Sequence, residues 1–143
     1  MVITKNIQVK TDPVADPQKV CVMDITSQVE QQVLEAGVNS GIATLFVAGS
    51  TAGLSTIEFE SGVVSDFKGM WERSIPRNIP YDHDRRWGDG NGYSHVRASL
   101  LGASLVVPFS DRKLTLGTWQ QIVFVDFDNR PRSRQIVLQI MGE

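Results

Sequence analysis

Four consecutive apolar residues near the C-terminus, Ile122-Val123-Phe124-Val125, constrain the fold more than any other stretch of the chain. Successive side chains of a β-strand point to opposite faces, so a half-exposed strand alternates apolar with polar residues. This run is apolar on both parities and therefore predicts a central strand covered on both faces. The chain must supply structure for each face.

Strand and helix signals along the sequence meet that demand. Val2–Lys10 places Ile3, Ile7 and Val9 on one parity and reads as a half-exposed strand. Thr11–Gln18, with two prolines and two aspartates, is a loop, and Val20–Ile25 is strand-like. Ser27-Gln28-Val29-Glu30 has the form of a capping box, which predicts a helix from there to Gly37. Ile42–Val47 and Leu54–Glu60 read as strands joined by the small-residue connection Gly49-Ser50-Thr51-Ala52-Gly53. Val63, Phe67, Met70, Trp71 and Ile75 recur at helical spacing and predict a second helix with a core-facing stripe, ended by Pro76. Residues 76–93 form a long polar connection, and Ser94 is positioned to cap a third helix ending at Gly102. Ala103–Phe109, Leu114–Gly117, Thr118–Phe127 and Arg132–Met141 complete the strands. The predicted class is α+β, with seven or eight mainly antiparallel strands in a sandwich-like core and about three helices.

Composition narrows the function classes. At 143 residues with 41% apolar side chains, one domain over 1–143 can bury ~70% of the surface of its unfolded chain. Fourteen Lys and Arg against 16 Asp and Glu give a net charge of −2, without the basic surplus of a nucleic-acid-binding domain. The lone Cys21 can form neither an internal disulfide nor a CxxC knuckle, and its apolar neighbours mark it as a core residue. The N-terminus has no apolar secretory stretch. The most apolar windows, Ile42–Ala48 and Leu100–Val107, fall well short of the ~20 residues of a membrane span. The expectation is a cytoplasmic protein with neither nucleic acid nor membrane as partner.

Both histidines lie in or beside the long connection. His83 stands in Tyr81-Asp82-His83-Asp84 and His95 in Ser94-His95-Val96-Arg97, with Asp82, Asp84 and Asp89 close in sequence. Imidazoles among carboxylates suit metal ligation or acid–base work. His95 falls in the first turn of a predicted helix, where free N–H groups favour an anion, and Arg97 stands in the same turn. Long connections inside small domains are often functional. Glu58, a carboxylate on a predicted strand, needs a partner or a role.

Taken together these residues resemble the YjbQ-like family, also called secondary thiamine-phosphate synthases. Leu116-Gly117-Thr118-Trp119-Gln120-Gln121-Ile122 is similar to the family's LGTWQ signature, and Ser104-Leu105-Val106-Val107-Pro108 to the strand before it. His95–Gly102 is similar to its H-x-K-x-S-x-x-G segment, Tyr81–Asp84 to Y-x-H-D, and Ile140–Glu143 to its ending. The departures fall at the site. Gly49 stands where the family has a histidine in H-T-[TS]-A, Ile57 replaces an asparagine before the retained Glu58, and Arg112-Lys113 replaces Gly-Arg.

The resemblance implies an antiparallel α+β fold assembled as a homotrimer with sites near subunit boundaries. It also implies a weak synthase activity, in which a hydroxymethylpyrimidine diphosphate and a thiazole phosphate give thiamine phosphate and diphosphate. Under that reading His83, His95 and Glu58 are the catalytic residues, with Asp66 or Asp84 as further carboxylates, and His83 and His95 hold a divalent ion (Mg²⁺, Mn²⁺ or Zn²⁺). Ser50, Thr51, Ser94 and Arg97 would contact the phosphorylated small molecule. The three catalytic residues are then expected to converge on a pocket lined by Gly49–Gly53, and Trp87, Tyr93 and Trp119 are available for a subunit interface. A non-catalytic trimeric module binding a phosphorylated metabolite and a metal-assisted hydrolase are the alternatives, the first favoured by Gly49.

Overall fold

A computed structural model describes all residues, Met1–Glu143. Eight strands and four α-helices follow one another as β1 (Val2–Thr11), β2 (Cys21–Asp24), α1 (Thr26–Ala36), β3 (Gly41–Val47), β4 (Ala52–Ile57), α2 (Ser61–Ser74), α3 (Asp82–Trp87), α4 (Gly92–Leu101), β5 (Ser104–Ser110), β6 (Lys113–Leu114), β7 (Gln121–Asp126) and β8 (Arg132–Gly142). They form a five-stranded sheet ordered β1-β8-β3-β5-β6 and a three-stranded sheet ordered β2-β7-β4. Every pairing is antiparallel.

β7 is the central strand of the smaller sheet, and the two parities of its apolar run go to two different cores. Ile122 and Phe124 join Leu45, Ile136, Leu138 and Ile140 of the larger sheet and Val29 and Val33 of α1. Val123, Val125 and the following Phe127 face the other way, onto Trp71 of α2 and Ala98 of α4. Each fully buried Val, Ile or Phe contributes about 1.5–3 kcal/mol, so this strand is a main source of stability. β7 and β8 are not a hairpin. Asp128–Pro131 carries the chain from one sheet to the other.

Several boundaries differ from the sequence reading, each for a local reason. The Ser27–Glu30 box does not form, because α1 begins one residue before Ser27. Ile25 is fully buried and its N–H is taken by the Ile122 carbonyl, which fixes the entry of the chain. Asp24 Oδ1 instead accepts from the Thr26 N–H at 2.9 Å, and Thr26 Oγ1 accepts from the Ile122 N–H at 2.9 Å. β4 stops at Ile57, and Glu60 turns its carboxylate onto the N–H groups of Gly62 and Val63 to cap α2. Of the α2 stripe only Trp71 is buried, while Val63, Phe67 and Ile75 are half-buried and Met70 is exposed. The 76–93 connection contains a helix of its own, α3. Asp82 and Asp84 stand in its first turn, Arg85 and Arg86 in its last, and Gly88 ends it at φ +67°. No helix is long and apolar enough to cross a membrane.

Candidate functional site

The first turns of α3 and α4 bring both histidines together. The imidazole rings of His83 and His95 lie 4.5 Å apart, centre to centre, with planes inclined by 39°. His83 Nδ1 is 3.4 Å from Asp84 Oδ1 and 3.3 Å from Asp89 Oδ1. Both carboxylates are held by backbone. Asp84 Oδ1 accepts from the Gly92 N–H at 2.8 Å, and Asp89 Oδ1 accepts from the Asn91 N–H at 3.1 Å. Gly92 is required here, since a Cβ on it would come within 2.6 Å of the Tyr81 Cβ and 3.0 Å of Asp84 Oδ1.

One ligand atom from each of His83, Asp84 and Asp89 lies within 4.8 Å of the others. An ion bound at ~2.1 Å to two ligands of a tetrahedral set holds them about 3.4 Å apart, which is the spacing from His83 Nδ1 to either carboxylate. This donor set fits a divalent ion.

Behind this cluster lies a buried polar network that ties α4, the small-residue connection and β8 to the end of β7. Asp126 accepts from Thr11 Oγ1 at 2.6 Å and from Arg134 Nε and Nη2 at 2.8 and 3.0 Å. Asp128 accepts from Thr51 Oγ1 at 2.9 Å and pairs with Arg132 at 3.1 Å. Burial pushes the Asp128 carboxyl up, but the Thr51 hydroxyl, Arg132 and the Asn91 amide outweigh it and hold the group below its ordinary value. Asn91 and Asn129 connect the network to the cluster. Asn91 Oδ1 accepts from the Asn129 N–H at 3.2 Å, and Asn129 Nδ2 donates to the Asp89 carbonyl at 2.7 Å.

The remaining residues singled out from sequence are placed as follows. Glu58 does not join the histidines. It is exposed beyond Ile57, at the Gln121 end of the β4–β7 pair, whereas the cluster lies at the Ala52–Asp126 end. The six residues of β4 span about 20 Å. Asp66 is also exposed, on α2. Thr51 and Ser94 are buried within the network, and Ser94 Oγ lies 2.5 Å from Asn91 Oδ1 and 2.6 Å from the Phe127 carbonyl instead of capping α4. Arg97 is fully buried, so it presents no charge to a ligand at the surface. Its Nε and Nη2 donate to the Ile75 carbonyl at 3.0 and 2.8 Å, and Nη2 meets Glu72 Oε2 at 3.0 Å, closing the C-terminus of α2. Ser50 is exposed, and with Gly49, Ala98 and Ser99 it lines a cavity of about 260 Å³. Ser99 donates to the His95 carbonyl at 2.8 Å, so that cavity begins one helical turn from His95. Tyr93 is interior, whereas Trp87 and Trp119 are 67% and 72% exposed.

Asp126, Asp128 and Arg134 escape a motif-based reading. Their signal was the alternation Asp126-Phe127-Asp128 at the end of an apolar strand, answered by Arg132-Ser133-Arg134 across the turn.

Residues 10–143 match the profile of the family described as UPF0047 protein YjbQ-like. The chain belongs to the YjbQ/UPF0047 family. A UPF0047 protein of Methanothermobacter thermautotrophicus is 37% identical over 131 residues, 92% of this chain and 90% of that protein. The UPF0047 protein YugU of Bacillus subtilis is 34% identical over 139 residues, 96% and 98% of the two chains. The crystal structure of a YbjQ-like protein of unknown function from Sulfolobus solfataricus superposes with a TM-score of 0.86 at 32% identity, covering 100% of both chains. A hypothetical protein from Aeropyrum pernix gives 0.86 at 29% identity over 99% of each chain. The antiparallel α+β architecture is that of YjbQ/UPF0047 proteins, a family whose function is not known.

Proposed function

We propose that this protein acts on a phosphorylated small molecule at the His83–Asp84–Asp89 cluster, in a transfer of the thiamine-phosphate synthase type. The observation that carries the reading is the spacing of His83 Nδ1 to two backbone-anchored carboxylates, with the His95 ring alongside. His83, Asp84 and Asp89 would hold a divalent ion. Bound there, such an ion supplies charge neutralisation for phosphate oxygens as a diphosphate departs. His95 stands beside the cluster as the proton-transfer group, and the Gly49–Ser50 cavity offers room for the organic part of the substrate.

Assembly as a homotrimer in the cytoplasm belongs to the same proposal. Ile42, Phe46, Val106 and Met141 are all exposed on the outer face of the five-stranded sheet, where Ile42 is paired with Met141 and Thr44 with Val106. A contiguous apolar face of this kind suits a subunit contact. Light scattering is expected to give three chains per particle, and a monomer mass at micromolar concentration overturns the assembly.

A non-catalytic binding role is the second reading, favoured by residue 49. A Cβ placed on Gly49 would sit 3.0 Å from Arg134 Nη1, so a guanidinium occupies the neighbourhood where the family resemblance would place an imidazole. Formation of thiamine phosphate, followed with Mg²⁺, Mn²⁺ and Zn²⁺ in turn, separates the two readings. Slow, metal-dependent turnover abolished by His83→Ala supports the enzyme. Saturable binding of a phosphomonoester without turnover supports the module.

A further inference from the structure

We infer that the protein carries a second small-anion site, distinct from the histidine cluster, in the cavity formed by Lys19, Arg77, Tyr93 and Asn129. The cavity has a volume of about 200 Å³ and is completed by Val14 and Asp128. That is below the roughly 300–1,000 Å³ of pockets for drug-sized ligands, so the occupant is a small molecule.

Three independent features mark it as a built site. The first is an unpartnered polar group. Tyr93 is only 6% exposed and lines the cavity, yet its hydroxyl makes no hydrogen bond within the chain. The hydroxyl is therefore free to donate to an occupant of the cavity. The second is the charge balance of the wall. Glu72 is shared by Arg77 at 2.9 Å and Arg97 at 3.0 Å, so two guanidinium groups meet one carboxylate. Lys19 Nζ touches no carboxylate and donates only to the Val14 carbonyl, at 2.7 Å. The only carboxylate lining the cavity, Asp128, is already paired with Arg132 and Arg134. The lining therefore has positive charge in excess.

The third feature is backbone geometry at Lys19. This residue adopts φ +61°, a region that a side chain with a Cβ rarely enters. Asp16 holds the turn, accepting the Gln18 N–H on Oδ2 at 2.8 Å and the Lys19 N–H on its carbonyl at 3.0 Å. Strain of this kind persists where the surroundings enforce it, and it concentrates at binding sites. Here it aims a lysine at the cavity.

The ligand class follows from the donors. Lys19 and Arg77 would take the two charged oxygens of a phosphate or carboxylate, the Tyr93 hydroxyl would donate to a third acceptor, and Asn129 would orient the remainder. A phosphomonoester and a free phosphate share this chemistry, so both are tested. The inference does not depend on the histidine cluster binding anything.

The test is NMR titration of the intact protein with inorganic phosphate, glycerol phosphate and acetate in parallel, following the amides of Lys19, Arg77, Tyr93 and Asn129. Saturable shifts at these residues are expected. Lys19→Asn tolerates the left-handed backbone while removing the charge, and it should weaken binding about tenfold, as should Arg77→Gln. Tyr93→Phe should weaken it severalfold and leave the melting temperature nearly unchanged. His83→Ala should leave it intact. Saturation by glycerol phosphate at lower concentration than by phosphate identifies a phosphomonoester, and the reverse order identifies free phosphate. Either supports the site. Shifts confined to His83, His95 and Ser50, binding that survives both charge-removing variants, or no shift with any probe overturns it.

Discussion

At one end of the β2–β7–β4 sheet, Asp126, Thr51 and Asp128 are sealed beneath Arg134 and Arg132, and the two imidazoles stand just outside. At the other end, Ile57, Gln121 and Glu58 open toward solvent, and the most prominent side chain is the exposed Trp119. The strands are the same at both ends, so the sheet itself does not decide where a site is built. What differs is the connection. The sealed end receives Ala48–Thr51, the α3–α4 link and the sheet-switching turn Asp128–Pro131, three irregular segments whose buried polar groups must all find partners. Buried ion pairs are poor sources of net stability. Their concentration at one end is explained better by the need to hold Asn91, Asp89 and Arg134 in fixed positions.

The comparison is most severely strained by removing the keystone. Asp126 is fully buried and accepts from Thr11, Arg134 and the Asp128 N–H. Asp126→Ala strands the Arg134 guanidinium and is expected to cost about 3–5 kcal/mol in urea-denaturation stability. A loss below 1 kcal/mol would mean that the sealed end is held by apolar packing and that the polar network is incidental.

The cluster outside the network gives the next largest effect. Mn²⁺ titration of wild type should show saturable binding, and His83→Ala or Asp89→Ala should weaken it on the order of 10–100-fold or more, the scale already lost when only supporting residues are changed. Asn129→Ala breaks the link from the network to Asp89 and should fall at the lower end of that range, with little change in folding stability. Equal loss of metal binding in Asn129→Ala and His83→Ala would make the two parts one unit.

How much of this was legible from sequence depended on whether the determining interactions are local. The double-sided apolar run of β7 and the end of α1 at Gly37 follow from nearest neighbours and periodicity, and both appear as expected. The pairing of His83 with His95 was accessible because the eleven intervening residues fold back through α3. Within one chain Glu58 stands apart from the histidines, because sequence separation does not reveal which end of a strand a segment occupies. Ser94 and Arg97 were assigned to an anion since their residue types suit one. Whether a polar side chain points out or in depends on Phe127, Glu72 and Ile75, which are remote in the chain.

The two ends should also respond differently to acid. Asp128 at the sealed end and Glu60 at the open end both titrate below their ordinary values. Asp128 does so despite desolvation, through Thr51 and Arg132; Glu60 does so through the Gly62 and Val63 N–H groups. A carboxyl depressed in the native state contributes stability that is full above its unfolded value, near 3.8 for Asp128, and is lost as pH falls toward the native value. Melting temperatures should therefore drop below about pH 4, and Asp128→Asn should flatten that limb while lowering stability at neutral pH. Glu60 is fully exposed, so its share should shrink in molar salt, where the Debye length is ~3 Å, and that of Asp128 should not. Equal salt sensitivity of Asp128→Asn and Glu60→Gln would remove the distinction between the ends.

The smallest effect is expected at Glu58, and it sharpens the comparison most. The residue is exposed, beyond the last paired residue of β4, and no hydrogen bond or ion pair holds its carboxylate. Surface substitutions of this kind change stability by no more than about 0.5 kcal/mol. Glu58→Gln should accordingly leave the urea midpoint, the Mn²⁺ affinity and any thiamine-phosphate turnover where they are. The informative deviation is loss of turnover with stability and metal affinity unchanged. Within one chain Glu58 and the imidazoles lie at opposite ends of β4, so such a result requires the carboxylate of one copy to reach the histidine cluster of another. Mixing Glu58→Gln with His83→Ala protein would then restore activity in hybrid particles, because some sites would combine an intact cluster with an intact Glu58. Absence of restoration would return Glu58 to the solvent-exposed end of the sheet, with no part in the chemistry.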